Sequence, residues 1–151
     1  MGLDMYLSRR TYVQNWDHHG PENQHQITVM KGGKIREDIK PERISYIIEE
    51  VAYWRKANAI HRWFVENCQN GVDECQESYV THEQLSELVS ICKEILKNPK
   101  SAPEELPTQA GFFFGTTEYG EPYLDDLRET VRQLEPCLND DRGEYYYRSS
   151  W

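Results

Sequence analysis

The stretch 40–70, KPERISYIIEEVAYWRKANAIHRWFVENCQN, decides how the rest of the chain is read. It is the longest segment with a helical period. Pro41 suits a first helical turn, where its missing N–H is not needed. No proline or glycine follows until Gly71, which suits a stop. Spacing residues about 100° apart gathers Ile44, Tyr46, Ile47, Val51, Tyr53, Trp54, Ala57, Ile60, Phe64 and Val65 on one arc. That arc covers roughly half the circumference, wider than the roughly 100° stripe of a surface helix. The pattern predicts a central helix touched on two sides. Glu50, Asn58 and His61 lie inside the arc, where polar groups need partners or cost a few kcal/mol each. Arg55 and Arg62 sit on its edge two turns apart, and Trp63 lies on the far, polar side.

This clustering makes the helix the candidate site. Trp54, Asn58 and His61 follow one another at i, i+4 and i+7, and Glu50 lies one turn before Trp54. Trp54 offers a stacking plane, and the Asn58 amide can read hydrogen-bonding edges. Arg55 and Arg62 can grip a phosphate or carboxylate bidentately. Together Glu50, Trp54, Arg55, Asn58, His61 and Arg62 predict a small anionic, nucleotide-like ligand held against the helix. The tyrosines of the last strand and the Phe112–Tyr119 loop supply further aromatic walls. The competing reading is an ordinary core, with Glu50 and His61 bonded to each other or to backbone. In it the Arg62–Glu66 pair at i,i+4 contributes a few tenths of a kcal/mol. Trp63 on a polar face predicts contact with a loop or a homodimer interface. No nucleophile–base pair is recognisable, so an enzyme is the weakest reading. It would use Glu50 and His61 as an acid–base set, joined by Asp4 if the first strand packs beside the helix.

Outward from the helix, Leu3, Met5 and Leu7 alternate with Asp4 and Tyr6, predicting a half-buried strand that Thr11–Val13 extends. Residues 14–25 form a polar loop broken at Gly20-Pro21. Its His18, His19 and His25 lack a rigid frame, and no metal site is predicted there. Residues 26–36 read as a hairpin turning at Gly32-Gly33. The adjoining Lys31 and Lys34 lack the spacing of a phosphate loop, and no cofactor is expected. After a polar connection over 69–80, Thr81 and Gln84 make a capping box. They open a second helix with the stripe Leu85, Leu88, Val89, Cys92, Ile95 and Leu96, which Asn98-Pro99 ends. Phe112–Phe114 between two glycines reads as a short buried strand or an aromatic plug. A third helix spans about 121–138, with Pro136 ending or kinking it. Residues 139–143 make a turn, and EYYYRSSW a final strand. Segments of period 2 and 3.6 coexist without a βαβ rhythm. The predicted fold is therefore α+β: a small antiparallel sheet of the two terminal strands plus the hairpin, packed against three helices.

The chain has 151 residues and a formal charge of −9, which suits one domain over 1–151 with a real core. Residues 1–62 carry ten Lys/Arg and eight Asp/Glu, net +2, and residues 63–151 carry seven and eighteen, net −11. Clustered Lys/Arg for phosphate contacts are missing, so direct nucleic-acid binding is disfavoured. An acidic surface that meets a basic host protein, as an inhibitor or nucleic-acid mimic, is the alternative function. MGLDMYL does not read as a signal peptide, and no apolar run reaches the length of a membrane span. Cys68, Cys75, Cys92 and Cys137 form no CxxC pair and read as reduced cysteines of a cytosolic protein.

MGLDMYL at the start, EEVAYWRKANAIHRWF, LPTQAGFFFGTTEYGEPYLDDL and the closing YYYRSSW resemble a group of small proteins of bacteria and tailed phages. Members begin with MGLDMYL and carry a YWRKAN-x-IH-x-WF helix. The resemblance covers nearly the whole chain. The group has no assigned activity, so what it implies is a phage- or prophage-type accessory protein, cytosolic or phage-encoded, in the bacterial host cytoplasm. By position it points to Trp54, Arg55, Lys56, Asn58, His61 and Trp63.

Overall fold

The computed structural model describes residues 2–139 and 142–151. Six strands and four helices make an α+β fold. Strand β1 is Asp4–Tyr12, β2 Met30–Lys31, β3 Lys34–Ile35, β4 Tyr46–Arg55, β5 Ser78–Val80 and β6 Glu144–Ser150. Helix α1 is Asn58–Cys68, α2 His82–Lys97, α3 Ala102–Glu105 and α4 Glu121–Leu134.

The long helix expected over 40–70 is two elements. Pro41 opens only a single 3-10 turn, Pro41–Arg43. Residues 46–55 then run as strand β4, antiparallel to β1, and the helix begins at Asn58. The physical reason lies in the side chains. YIIEEVAYW is rich in β-branched and aromatic residues, which suit a pleated surface better than a helix. Apolar residues on so wide an arc carry little period of their own, so tertiary pairing decides. Lys56 makes the corner with φ of 57°, and its N–H donates to Leu3 O at 2.7 Å.

The main sheet has the order β4-β1-β6-β5, all antiparallel. The two terminal strands pair in its centre, Leu7 opposite Tyr147. The hairpin expected to join them stands apart as β2–β3, turned by Gly32 and Gly33 at φ of 60° and 78°. Its residues are exposed, so no apolar face ties it to the sheet. The sheet takes β4 and the short β5 instead.

One face of the sheet carries Leu3, Met5, Leu7, Ala52, Trp54, Tyr145 and Tyr147 into the core. Against it pack Phe64 of α1, Leu85, Leu88 and Ile95 of α2, and Leu127 and Leu134 of α4, all fully buried. The Phe64 ring stacks on Tyr147 with centroids 4.0 Å apart. Each such side chain contributes about 1.5–3 kcal/mol by leaving water. The capping box at Thr81 and Gln84 forms, and α2 starts there. Pro136 ends the third helix at Leu134, and a 3-10 turn continues to Asn139. Phe112–Phe114 is a turn rather than a strand. The expected turn over 139–143 includes Asp140 and Asp141, which lie outside the described residues. No helix among the described residues is long and apolar enough to cross a membrane.

Among the described residues no helix lies over the opposite sheet face. Successive strand pairs place Tyr6 beside Tyr53 and Arg148, and Tyr146 beside Ser8 and Tyr79. The Arg148 guanidinium lies 4.4 Å from the centre of the Tyr6 ring, and that of Arg10 lies 4.0 Å from Tyr146.

Candidate functional site

Splitting the expected helix separates the residues it was to align. Glu50 pairs with Ser8 on the open face of the sheet and is exposed. His61 lies in α1 beneath the other face, so no Glu50–His61 pair forms. Trp54 is buried, and its indole N–H donates to Thr130 Oγ1 at 2.9 Å, tying β4 to α4. Arg55, half exposed, bonds Asp4 at 3.1 Å. Trp63 is only 5% exposed and meets the Phe64 ring edge-on. It therefore offers no interface. Sheet and helices enclose α1 so fully that only Arg62, Glu66, Asn67 and Cys68 escape burial.

Asn58 and His61 are both buried, with different tasks. Asn58 Nδ2 donates to Phe114 O and Thr116 O, each at 2.8 Å, and its Oδ1 accepts from Gln109 N at 3.0 Å. One side chain thus uses its whole amide to pin the loop 109–116 onto α1. Leu3 N–H adds a bond to Phe113 O at 3.1 Å. This bracing fixes the three phenylalanines. Phe114 turns inward and meets the His61 ring edge-on at 5.3 Å, while Phe112 is 94% exposed.

His61 is fully buried and bonded at both ring nitrogens. Nδ1 lies 2.6 Å from the Tyr147 hydroxyl, and Nε2 lies 2.9 Å from Asp73 Oδ2. An ionised carboxylate only accepts, so Nε2 carries the hydrogen toward Asp73. Burial holds the Tyr147 phenol well above its usual range, which keeps its O–H available to donate to Nδ1. The other Asp73 oxygen accepts from Trp151 Nε1 at 3.1 Å. The chain Tyr147–His61–Asp73–Trp151 therefore joins β6, α1, the connection after α1 and the C-terminal residue.

This chain forms one wall of a cavity of about 560 Å³. Val65, Phe112, Phe113, Phe114 and Trp151 give it aromatic and apolar sides, while Arg62, Glu66 and Asp73 bring charge. Arg62 is engaged, donating through Nε to Glu66 at 2.8 Å and through Nη1 to Thr108 O at 3.0 Å. Asp73 keeps a quarter of its side chain exposed. The site thus pairs aromatic walls with an oriented carboxylate.

Asp73 and Trp151 were invisible as site residues, because both lie outside the helical pattern. The one available signal was an acidic residue just past Gly71 and a tryptophan closing an aromatic strand. Burial pushes the thiols of Cys68 and Cys92 up to about 12, where little thiolate exists. Among the described residues no group of three or more His, Cys, Asp or Glu is placed to hold a metal ion. Compared with protein-family models, curated proteins and solved structures, the chain matches none.

Proposed function

We propose that this protein is a small-molecule binding module, and that the cavity over α1 takes a flat heteroaromatic ligand bearing an amino group, of the nucleobase type. The observation that carries this reading is Asp73, held by His61 and Trp151 on the wall of an aromatic cavity. A carboxylate retains lone pairs after accepting two bonds, and ligand N–H groups can take them. Phe112, Phe114 and Trp151 supply faces for a ring. With Arg62 tied to Glu66, the free charge of the wall is negative. The recognised end is therefore an N–H donor, in place of the anionic group that the arginines suggested from sequence. Binding is favoured over catalysis because both His61 nitrogens are occupied and the Tyr147 hydroxyl is buried.

Isothermal titration with nucleobases, nucleosides, aromatic amines and aromatic carboxylates tests this. Amino-bearing rings are expected to bind and the carboxylates not. Asp73→Asn keeps an acceptor for His61 but loses the charge-assisted bond, worth about 1.5–3 kcal/mol, so affinity falls roughly tenfold to a hundredfold. Binding of carboxylates in preference to amines, or unchanged affinity in Asp73→Asn, overturns the proposal.

A further inference from the structure

A second hollow lies apart from the aromatic cavity, at the corner where β4 turns into α1. It holds about 170 Å³, between that corner, the loop 115–118 and α4. Its charged lining is Arg55 and Lys56 from the corner, Glu118 from the loop and Asp126 from α4. Two of these groups are not explained by folding.

Lys56 is the first. Its φ of 57° lies in the left-handed region, where a side chain is strained and glycine is not. A residue there for the corner alone would be glycine. Among the described residues the Lys56 ammonium has no ion pair or hydrogen bond. Space has nevertheless been made for the side chain. Gly115, itself at φ of 81°, lies so close that an added Cβ would stand 3.2 Å from Lys56 Cβ. The stem is packed, and the charge is left without a partner.

Asp126 is the second. It is part-buried on α4, and its carboxyl accepts no hydrogen bond among the described residues. Burial, with Asp125 beside it, pushes the carboxyl up to about 7. Neither Arg55 nor Lys56 is placed to offset that burial. An amide at this position would fill the same space without the cost of a charge.

The hollow is therefore lined by the Lys56 ammonium from the corner and by the Asp126 and Glu118 carboxyls from α4 and the loop, with no ion pair between them among the described residues, while Arg55 is already paired with Asp4. A purely anionic ligand would meet Asp126 and Glu118, and a purely cationic one would meet Arg55 and Lys56. A dipolar ligand satisfies both sides. We infer that this corner is a second binding site, for a free α-amino acid, with the ligand carboxylate on Lys56 and its ammonium on Asp126 and Glu118. The volume agrees. At about 170 Å³ the hollow is many times the space that one ordered water needs, which leaves room for a small amino acid.

The sign of the pH effect follows from Asp126. Ligand ammonium pairs with the ionised carboxylate, so affinity rises as pH climbs through about 7 and levels off above it. The groups facing Asp126 are Arg55 and Lys56 from the corner, Glu118 from the loop, and Asp125 and Tyr123 from its own helix.

The test is a thermal-shift and titration series on the full chain at pH 8 with the proteinogenic amino acids. Matched carboxylic acids and amines serve as controls, against Lys56→Gly, Asp126→Asn and Asp73→Asn. At least one small amino acid is expected to raise the melting temperature, while the matched acid and amine do not. The shift should vanish in Lys56→Gly and Asp126→Asn and persist in Asp73→Asn, which separates this site from the aromatic cavity. The first two variants should themselves melt no lower than the parent, because each removes a strain or a half-buried charge. No shift with any amino acid, a shift that survives in either corner variant, or an equal shift with the carboxylic acid alone overturns the inference.

Discussion

Asn58 shows what one residue can decide. Its amide makes three bonds to backbone groups of the loop 109–116 and leaves no donor for a ligand. The sequence reading gave it a recognition role, yet the geometry makes it a clamp. Replacing it removes three partners from part-buried backbone groups, each costing about 1 kcal/mol or more to leave unpaired. Asn58→Ala should therefore destabilise the fold by about 2–4 kcal/mol, read from urea unfolding. It should also speed amide exchange at Gln109 and nearby loop residues. A variant as stable as the parent would mean that the loop is held by other contacts. His61 is a related case. With both nitrogens bonded and no surface exposed, it acts by orienting Asp73.

At the scale of elements, β4 carries an unusual feature. It is an edge strand, and exposed edges invite pairing with another chain. At Tyr53 the edge is closed by a side chain from α4. The Tyr53 N–H donates to Gln133 Oε1 at 2.8 Å, and its carbonyl accepts from Gln133 Nε2 at 3.0 Å. An amide thus imitates a neighbouring strand. Further along, Tyr46, Ile47 and Ile48 are between 39% and 63% exposed. Glu49 and Glu50 follow directly; Glu49 is paired with Arg9 at 2.7 Å, and the exposed Glu50 adds a charge beside that edge, which opposes open-ended stacking. Gln133→Ala should free the Tyr53 backbone and raise the self-association seen by light scattering at high concentration. Its melting temperature should fall by only a few degrees, since two hydrogen bonds are lost from an exposed position. Unchanged scattering would show that the glutamates alone protect the edge.

At the scale of the molecule, helices cover one sheet face and leave the other bare. That leaves one group of tyrosines buried and another exposed, with Tyr6 and Tyr146 between them. Tyr123, Tyr145 and Tyr147 are at most 5% exposed, while Tyr12, Tyr46, Tyr53 and Tyr79 are at least 41% exposed. Mild nitration followed by peptide mass mapping should label the second group first and spare the buried three until the protein unfolds. Early labelling of Tyr145 or Tyr147 would contradict the layer order described here. The formal charge of −9 gives no guide to this face, whose Arg10 and Arg148 lie over tyrosine rings.

Several features were legible in the sequence because local chemistry enforces them. Thr81 and Gln84 cap α2, Pro136 closes α4, and Gly32-Gly33 turns the small hairpin. Strict alternation fixed the first strand, because a shift of one residue would turn Leu3, Met5 and Leu7 out to water, and the run of tyrosines marked the last. From these the α+β class followed. Residues 46–55 were not legible. Their apolar residues fit both periods, and pairing with β1 chose the strand. That choice then moved Glu50 to the bare face, closed Trp63 into the core and placed Lys56 at a left-handed corner. The aromatic cavity depends on contacts far apart in sequence, His61 with Tyr147 and Asp73 with Trp151. Sequence alone determined which segments have a preference of their own. The tertiary structure decided the ambiguous ones and assembled the site, because hydrogen bonds between distant residues leave no period in the chain.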